Sequence, residues 1–267
     1  MHSTLVLNLD RRPDRWQKFK KNNRHIGRIE RYSAVDGPLI AEDRKNRPEP
    51  FAHQYAYYYP GTIGNHLSHR NCWDRVRIQN EPATIAEDDA VFHPQYPTQR
   101  DEILRGVDLQ YDVIFWGWTF STGLMIELYP GGPSLSARPS KSDDADHTSE
   151  FLQSTPTARL YRAWGLWNSF AYTLSPNGAE RLLDLAWPIV DENGVVPMSS
   201  DLFPIYGVDA KICAILDQLD AYVAIDPLAY HPHLKSDTDM LPPGHTPRVV
   251  KLDDPIVPNA PTLPPTP

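Results

Sequence analysis

The sequence predicts an α/β fold with a mainly parallel central sheet flanked by helices, and three observations carry that prediction. Short apolar runs at Leu5-Val-Leu-Asn-Leu9, Pro82 to Ala86 and Tyr111 to Trp116 have the length of buried strands. Segments with helical spacing of apolar residues lie between them. Asp, Gly and Pro punctuate the transitions, as in Asp10-Arg-Arg-Pro13 and Asp36-Gly-Pro38.

Taken in order, the strand Leu5 to Leu9 stops at Asp10, and Asp10 to Arg12 can cap a helix opening at Pro13, where a missing N–H costs little. Trp16, Phe19 and Asn23 fall on one side of that helix, with Lys and Arg on the others. A second strand is expected within Ile29 to Val35. Residues 38 to 60 read as irregular. A helix from Thr62 to Gln79 places Ile63 and Leu67 on one side and Cys72, Trp73 and Val76 on another, which suits burial on both. Strands at Pro82 to Ala86 and Tyr111 to Trp116 follow. Between Tyr129 and Thr157 the pattern dissolves into Gly, Pro, Ser and Asp, which reads as a mobile lid or a disordered loop. A strand near Phe170 to Leu174 and a helix from Pro176, with Ala179, Leu182, Leu183 and Ala186 in one stripe, restore order. A last helix follows Asp209. Residues 241 to 267 form a proline-rich tail that cannot fold alone.

The 267 residues allow one catalytic-sized domain, expected over residues 1–240, plus that tail. A hydrophobic content of 40% is ordinary for a globular protein, and no apolar run approaches the roughly 20 residues that cross a membrane. No basic, apolar leader precedes Leu5, and the two cysteines, Cys72 and Cys213, read as reduced, buried thiols, so a cytoplasmic protein is expected. The net charge of −8 conceals an asymmetry: residues 11 to 31 hold nine Lys or Arg against Asp14 and Glu30. That segment could meet a phosphate or an anionic membrane surface, whereas the acidic remainder argues against a broad nucleic-acid footprint.

Ligands of open α/β sheets bind at the carboxyl ends of the strands, and three clusters stand there. Asn8-Leu-Asp-Arg-Arg-Pro-Asp-Arg15 sets guanidiniums beside a helix start, an anion site or a solvated helix start with Asp10 as cap. A haloacid-dehalogenase-type phosphatase with Asp10 as nucleophile is set aside, because it needs an acid two residues on, where Arg12 stands. Glu87-Asp-Asp89 ends the strand Thr84-Ile-Ala86. Hard oxygen ligands in that place suit manganese or magnesium holding a diphosphate, and a solvated turn is the bland alternative. Three adjacent carboxylates repel, so they are expected to be stable together only with a divalent ion, and otherwise partly protonated or locally mobile. Tyr206-Gly-Val-Asp209 opens a helix, with Asp209 as N-cap, as a carboxylate base, or as both.

In order, these blocks resemble glycosyltransferase family 25. The resemblance is carried by Leu5 to Arg15, by Ala34-Val-Asp-Gly37, by Gly61-Thr-Ile-Gly-Asn-His-Leu-Ser-His69 followed by Trp73, and by Ile85-Ala-Glu-Asp-Asp-Ala90. Weaker echoes lie at Tyr111 to Gly117, Ala171 to Leu183 and Val208-Asp209. The chain departs from the family at Thr62, where Glu is usual, at Asn65-His66, where a small apolar pair is usual, and at Ala86, where Leu is favoured.

The resemblance implies a GT-A-type, Rossmann-like fold and inverting transfer of a hexose, galactose first, from a nucleotide diphosphate sugar, UDP-linked by preference, to a glycan that could be lipid-linked. It implies Mn2+ or Mg2+ on Glu87 and Asp89 with His231, or else His233, completing the shell. It places Asp88 in that shell or on the donor ribose, Asn8, Leu9, Arg12, Arg15, Val35 and Asp36 at the nucleotide, and Gly64, Ser68 and His69 near the diphosphate or donor sugar. For His69 a hydrogen-bonded core histidine is the alternative. Asp209 is the expected base, since displacement at an anomeric carbon needs a base for the acceptor hydroxyl and a stabilised leaving diphosphate.

Overall fold

A computed structural model describes residues 3–37, 39, 60–106, 110–119, 123–137, 146–187, 193–195, 202–204 and 207–232. In chain order the strands are β1 (Ser3–Asn8), β2 (Ile29–Ser33), β3 (Ala83–Glu87), β4 (Val91–Phe92), β5 (Val113–Phe115), β6 (Leu124–Glu127), β7 (Ser134–Ala137), β8 (Arg159–Leu166), β9 (Ala171–Leu174), β10 (Asn193–Val195), β11 (Leu202–Pro204), β12 (Ala221–Ile225) and β13 (Ala229–Tyr230). The helices are α1 (Pro13–Asn22), α2 (Pro60–Gln79), α3 (Tyr96–Gly106), α4 (Thr148–Gln153), α5 (Pro176–Leu185) and α6 (Val208–Ala214).

Nine strands form one sheet in the order β2-β1-β3-β9-β5-β12-β8-β6-β7. The pairings set β2, β1, β3, β5, β12 and β6 in one direction and β9, β8 and β7 in the other. The α/β class and the largely co-directional sheet are thus as the sequence predicts. The three reversed strands are not, because hydrophobic periodicity reports the pleat and not the direction of a strand.

Alternation along the strands feeds two cores. Leu5, Leu7, Ile85, Val113 and Phe115 face one way, toward Cys72 and Trp73 of α2, Leu182 of α5 and Ile212 of α6. Val6, Ala86 and Ile114 face the other way, toward Phe19 of α1 and Tyr96 of α3. The sheet therefore has helices on both faces, with its carboxyl edge left open between α1 and α2. No helix among the described residues is long and apolar enough to cross a membrane.

Helix starts are capped as their residues allow. Ser175 caps α5 by accepting the Gly178 amide, with Pro176 in the first turn. Asp10 does not cap α1: its carboxylate takes Arg31 and Ser33 instead, and Arg12 occupies the cap position without a side-chain bond. Of the region 129 to 157, residues 129–137 and 146–157 hold more regular structure than expected, and residues 138–145 lie outside the described residues. β7 returns against β6 through a turn in which Gly131 takes a φ of 73° and donates its amide to Glu127. The four residues of β7 are all exposed, so no apolar alternation announces them, and α4 buries Phe151 alone. The expected tail and most of the irregular stretch at 38 to 60 lie outside the described residues.

Asn23 fixes α1 to the acidic strand end. Its side chain donates to the Ala90 carbonyl at 2.9 Å and accepts the Phe92 amide at 2.8 Å, all in the interior. Asn23→Ala should destabilise the protein by roughly 2–6 kcal/mol, since two buried backbone groups lose their partners at about 1–3 kcal/mol each. Urea unfolding checks this, and an unchanged midpoint would mean that other groups satisfy them.

Candidate functional site

A cleft opens where the adjacent strands β2, β1 and β3 end, as the rule for open α/β sheets requires. Leu9, Arg11 and Arg15 come to it from the segment after β1, Val35 and Asp36 from the segment after β2, and Glu87, Asp88 and Asp89 from the end of β3. Asn65 and Ser68 of α2 close one side.

The Val35 to Gly37 segment is clamped to α2 by glycine and serine. A Cβ on Gly64 would collide with the Val35 carbonyl oxygen, so only glycine permits this approach. One turn on, Ser68 donates to the Gly64 carbonyl at 2.6 Å and accepts the Val35 amide at 2.8 Å. Gly64 therefore shapes the cleft wall without lining it, and Ser68 serves mainly as its clamp. Asp36 is held by Arg11 at 2.7 Å. Asn8 is buried: it donates to Asp88 at 2.7 Å and accepts from Arg31 at 2.8 Å, so it orients a carboxylate from behind. Arg12 pairs with Asp14 at 2.9 Å, and Arg11 rather than Arg12 is on the cleft wall.

The three carboxylates do not share one partner. Glu87 accepts from Ser169 at 2.6 Å and faces His69 at 3.3 Å. Asp88 takes the Nε of Arg15 at 2.7 Å, and Asp89 takes its Nη2 at 2.5 Å, with His231 at 3.4 Å. Burial acts to raise all three pKa values. For Glu87 the His69 and Ser169 hydrogen bonds outweigh it, and for Asp89 His231 and Arg15 do, so both stay below the usual carboxylate range. Burial would depress His231, but the Asp89 carboxylate holds it above an ordinary histidine. For Asp88 burial wins over Arg15 and Asn8, and its pKa rises to about 6. The expectation that a divalent ion alone makes the triad tolerable is corrected: Arg15, His69, His231 and Ser169 already partner it, and only Asp88 approaches the protonated state foreseen.

His231 reaches Asp89 because β13 pairs with β4, Tyr230 opposite Val91, which sets the next residue beside the triad. Gly117 permits this: the chain at Ala229 passes so close that a Cβ there would collide with its carbonyl. Asp89 Oδ1 is buried without a hydrogen-bond partner, and a carboxylate oxygen is the donor that suits manganese or magnesium, to which the His231 imidazole adds a nitrogen of the kind softer divalent ions favour. No group of three or more His, Cys, Asp or Glu arranged for a metal occurs among the described residues. Among the described residues Asp89 and His231 lie 3.4 Å apart and could hold an ion together, while Oε1 of Glu87 is turned to His69 and Ser169. His233 lies outside the described residues.

Asp209 is the second residue of α6, whose cap is Gly207, so the N-cap reading is replaced. It accepts the Ala210 amide at 2.9 Å. Burial raises its pKa, the Glu87 charge adds to that, and His69 opposes it. His69 itself is fully buried and reaches the site through Glu87. Sequence reasoning missed Ser169, Arg11, Arg31 and the contact of Asn65 with Glu87. Ser169 precedes β9, a reversed strand, and only the sheet order could have revealed that its amino end stands beside the carboxyl end of β3.

Residues 1–202 match the family model described as glycosyltransferase family 25, LPS biosynthesis protein. The chain belongs to glycosyltransferase family 25. Curated relatives named glycosyltransferase 25 family member are 32% identical over 127 residues in Drosophila pseudoobscura pseudoobscura and 30% over 123 residues in Aedes aegypti. In both cases the match takes in 42% of this chain and 20% of the relative, so this family 25 chain spans about a fifth of those proteins. A solved mannose-1-phosphate geranyltransferase from Thermus thermophilus is similar at 9% identity and a TM-score of 0.31, over 68% of this chain and 59% of that one, a likeness that carries no argument.

The family 25 site makes stability depend on pH through Asp88. Its pKa rises from 3.8 to about 6 on folding, so the native state binds the proton more tightly than the unfolded chain. Stability from that proton is complete below about pH 4 and lost as pH rises to about 6, a loss of roughly 3 kcal/mol at 1.36 kcal/mol per unit. Asp88→Asn should therefore raise stability more at pH 7.5 than at pH 4.5 in urea unfolding, by roughly 2 kcal/mol, since about 1 kcal/mol is already lost at pH 4.5. A gain independent of pH would show that burial does not govern this carboxyl.

Proposed function

We propose that this chain transfers a hexose, with inversion, from a nucleotide diphosphate sugar to a hydroxyl of a glycan. The observation that carries the proposal is the pairing of an Arg15-bridged acidic strand end with a carboxylate of raised pKa, Asp209, that feels the charge of Glu87. UDP and galactose are the preferred nucleotide and sugar, as the family resemblance implies.

Leu9, Val35 and Asp36 form the wall for the nucleoside. The guanidiniums of Arg11 and Arg15 lie on the same cleft and offer forks to phosphate oxygens. Mn2+ or Mg2+, held by Asp89 and His231, would neutralise charge on the leaving diphosphate. Asp209 takes the proton of the acceptor hydroxyl as its oxygen bonds to the anomeric carbon, while the bond from that carbon to the diphosphate oxygen breaks and its electron pair leaves with the diphosphate. A carboxylate of raised pKa suits this work, because a base near the working pH is the most effective. Half-buried Glu87 and buried Asp89, held ionised by hydrogen-bonded partners, are poorer proton acceptors.

The acceptor reading extends to a lipid-linked glycan at an anionic membrane face. Lys18, Lys20, Lys21, Arg24 and Arg28 are all exposed along α1 and the turn after it, close to the cleft that Arg15 lines. Each basic group near an anionic surface is worth about 1 kcal/mol at moderate salt.

Purified protein with Mn2+ and a panel of nucleotide sugars should release nucleotide diphosphate, read by mass spectrometry. Asp209→Asn should lower kcat about 10²–10⁴-fold with donor binding little changed. Donor binding without hydrolysis or transfer to any acceptor would favour a non-catalytic nucleotide-sugar-binding module, and no binding of any donor would sink both. Separately, the protein should sediment with phosphatidylserine vesicles at low salt and be released at 0.5 M salt, on the order of the ionic strength that screens surface charge. Indifference to such vesicles would remove the membrane reading.

A further inference from the structure

Three donors converge on one oxygen of Glu87. Ser169 Oγ stands 2.6 Å from Oε1, His69 Nε2 3.3 Å and Asn65 Nδ2 3.5 Å. Each described hydrogen bond of this carboxylate ends on Oε1, although Glu87 lines the cleft.

Behind His69 lies a buried chain from α2 to β9. Trp73 Nε1 is 2.7 Å from the Tyr172 hydroxyl, and that hydroxyl is 2.8 Å from His69 Nδ1. All three side chains are fully buried. An indole N–H can only donate, so the Tyr172 oxygen accepts from Trp73. The Tyr172 proton then needs an acceptor, and His69 Nδ1 is the one its described contacts provide. Nδ1 must therefore be bare, and the ring proton of neutral His69 sits on Nε2, facing Glu87. The other tautomer would strand the hydroxyl proton and set the Nε2 lone pair against a carboxylate. In a dry interior each fault costs a hydrogen bond or more.

We propose that Tyr172 and Trp73 are positioning residues that fix His69 as the Nε2–H tautomer. His69 and Ser169 then saturate Oε1 of Glu87 and leave Oε2 as the acceptor for an O–H donor of the bound nucleotide sugar. The O–H group is a hydroxyl of the donor sugar or a water carried by its cation. The ligand rests on the sugar-transfer reading; the tautomer does not. The arrangement also gives reasons for Trp73, four residues after His69, and for Tyr172 on a strand whose direction sequence could not show.

The first measurement is the 15N spectrum of His69 in the wild-type protein labelled at histidine, assigned by the signal lost in His69→Gln. A protonated Nε2 and a bare Nδ1 are expected, and a proton on Nδ1 overturns the proposal whether or not any variant folds. Tyr172→Phe should then show mixed tautomers and weaken UDP-galactose binding or kcat/KM by about 10–100-fold, the usual cost of removing such a support. In the His69→Gln background the same change should add less than about threefold, because an amide has no tautomer to fix. An equal loss in both backgrounds, or no loss in either, would make Tyr172 merely structural. A loss seen only with Mn2+ assigns Oε2 to a cation-bound water, and a loss that persists in EDTA assigns it to a sugar hydroxyl. If no donor binds the wild-type protein, the sugar-transfer reading falls and the tautomer result still stands.

Discussion

One guanidinium answers two buried carboxylates at the end of β3: Arg15 gives its Nε to Asp88 and its Nη2 to Asp89. In a low-dielectric cleft, adjacent anions without such a fork would repel by several kcal/mol or take up protons. Much of the local architecture serves to bring this one side chain to that place. Pro13 starts α1 directly after β1, Phe19 anchors the helix against the sheet, and Asn23 ties its end to the backbone at Ala90 and Phe92. Helix α1 is therefore less a generic flank of the sheet than a mount for Arg15.

The same guanidinium could serve two roles that need not compete. It neutralises Asp88 and Asp89, and under the proposed function it would also meet the diphosphate of the donor. A planar fork with several donors can do both, which a lysine ammonium, a single point of charge, cannot. Asp88 is the point where compensation is incomplete. Its side chain has Asn8 on one oxygen and Arg15 on the other, yet burial still raises its pKa to about 6.

What the sequence made legible follows from the physics of strand ends. Leu9, Arg15, Val35, Asp36 and Glu87 to Asp89 all follow β1, β2 or β3, and parallel neighbours bring their carboxyl ends to one edge. What it hid follows from direction. Ser169 precedes a strand rather than following one, and it reaches Glu87 only because β9 runs backward between β3 and β5. His231 could be guessed from the family pattern, but its place beside Asp89 depends on the two-residue pairing of β13 with β4, far too short to announce itself. Asn8, Gly64 and His69 stand near this edge as their position in sequence implies, but their described contacts hold other groups in position from inside the wall. A residue type and a spacing say that a polar group is needed near an edge. They do not say whether it points into the cleft or backs a residue that does.

Four carboxylates at this edge divide into two kinds, and the division argues which can carry a proton. Glu87 and Asp89 lie below the usual range because hydrogen-bond donors overcome burial; Asp88 and Asp209 lie above it because burial prevails. Neighbouring acids whose environments separate their pKa values are the arrangement that assigns acid, base and ligand roles. Within the raised pair, Asp88 has both oxygens engaged, one by a guanidinium that would resist its protonation during turnover. Asp209 has a backbone amide as its described donor, and Glu87 close enough to act on it by charge. A shift of Glu87 would therefore be felt at Asp209 as well as at Asp88 and Asp89, which links the buried Trp73-Tyr172-His69 chain, through Glu87, to the carboxylate proposed as the base.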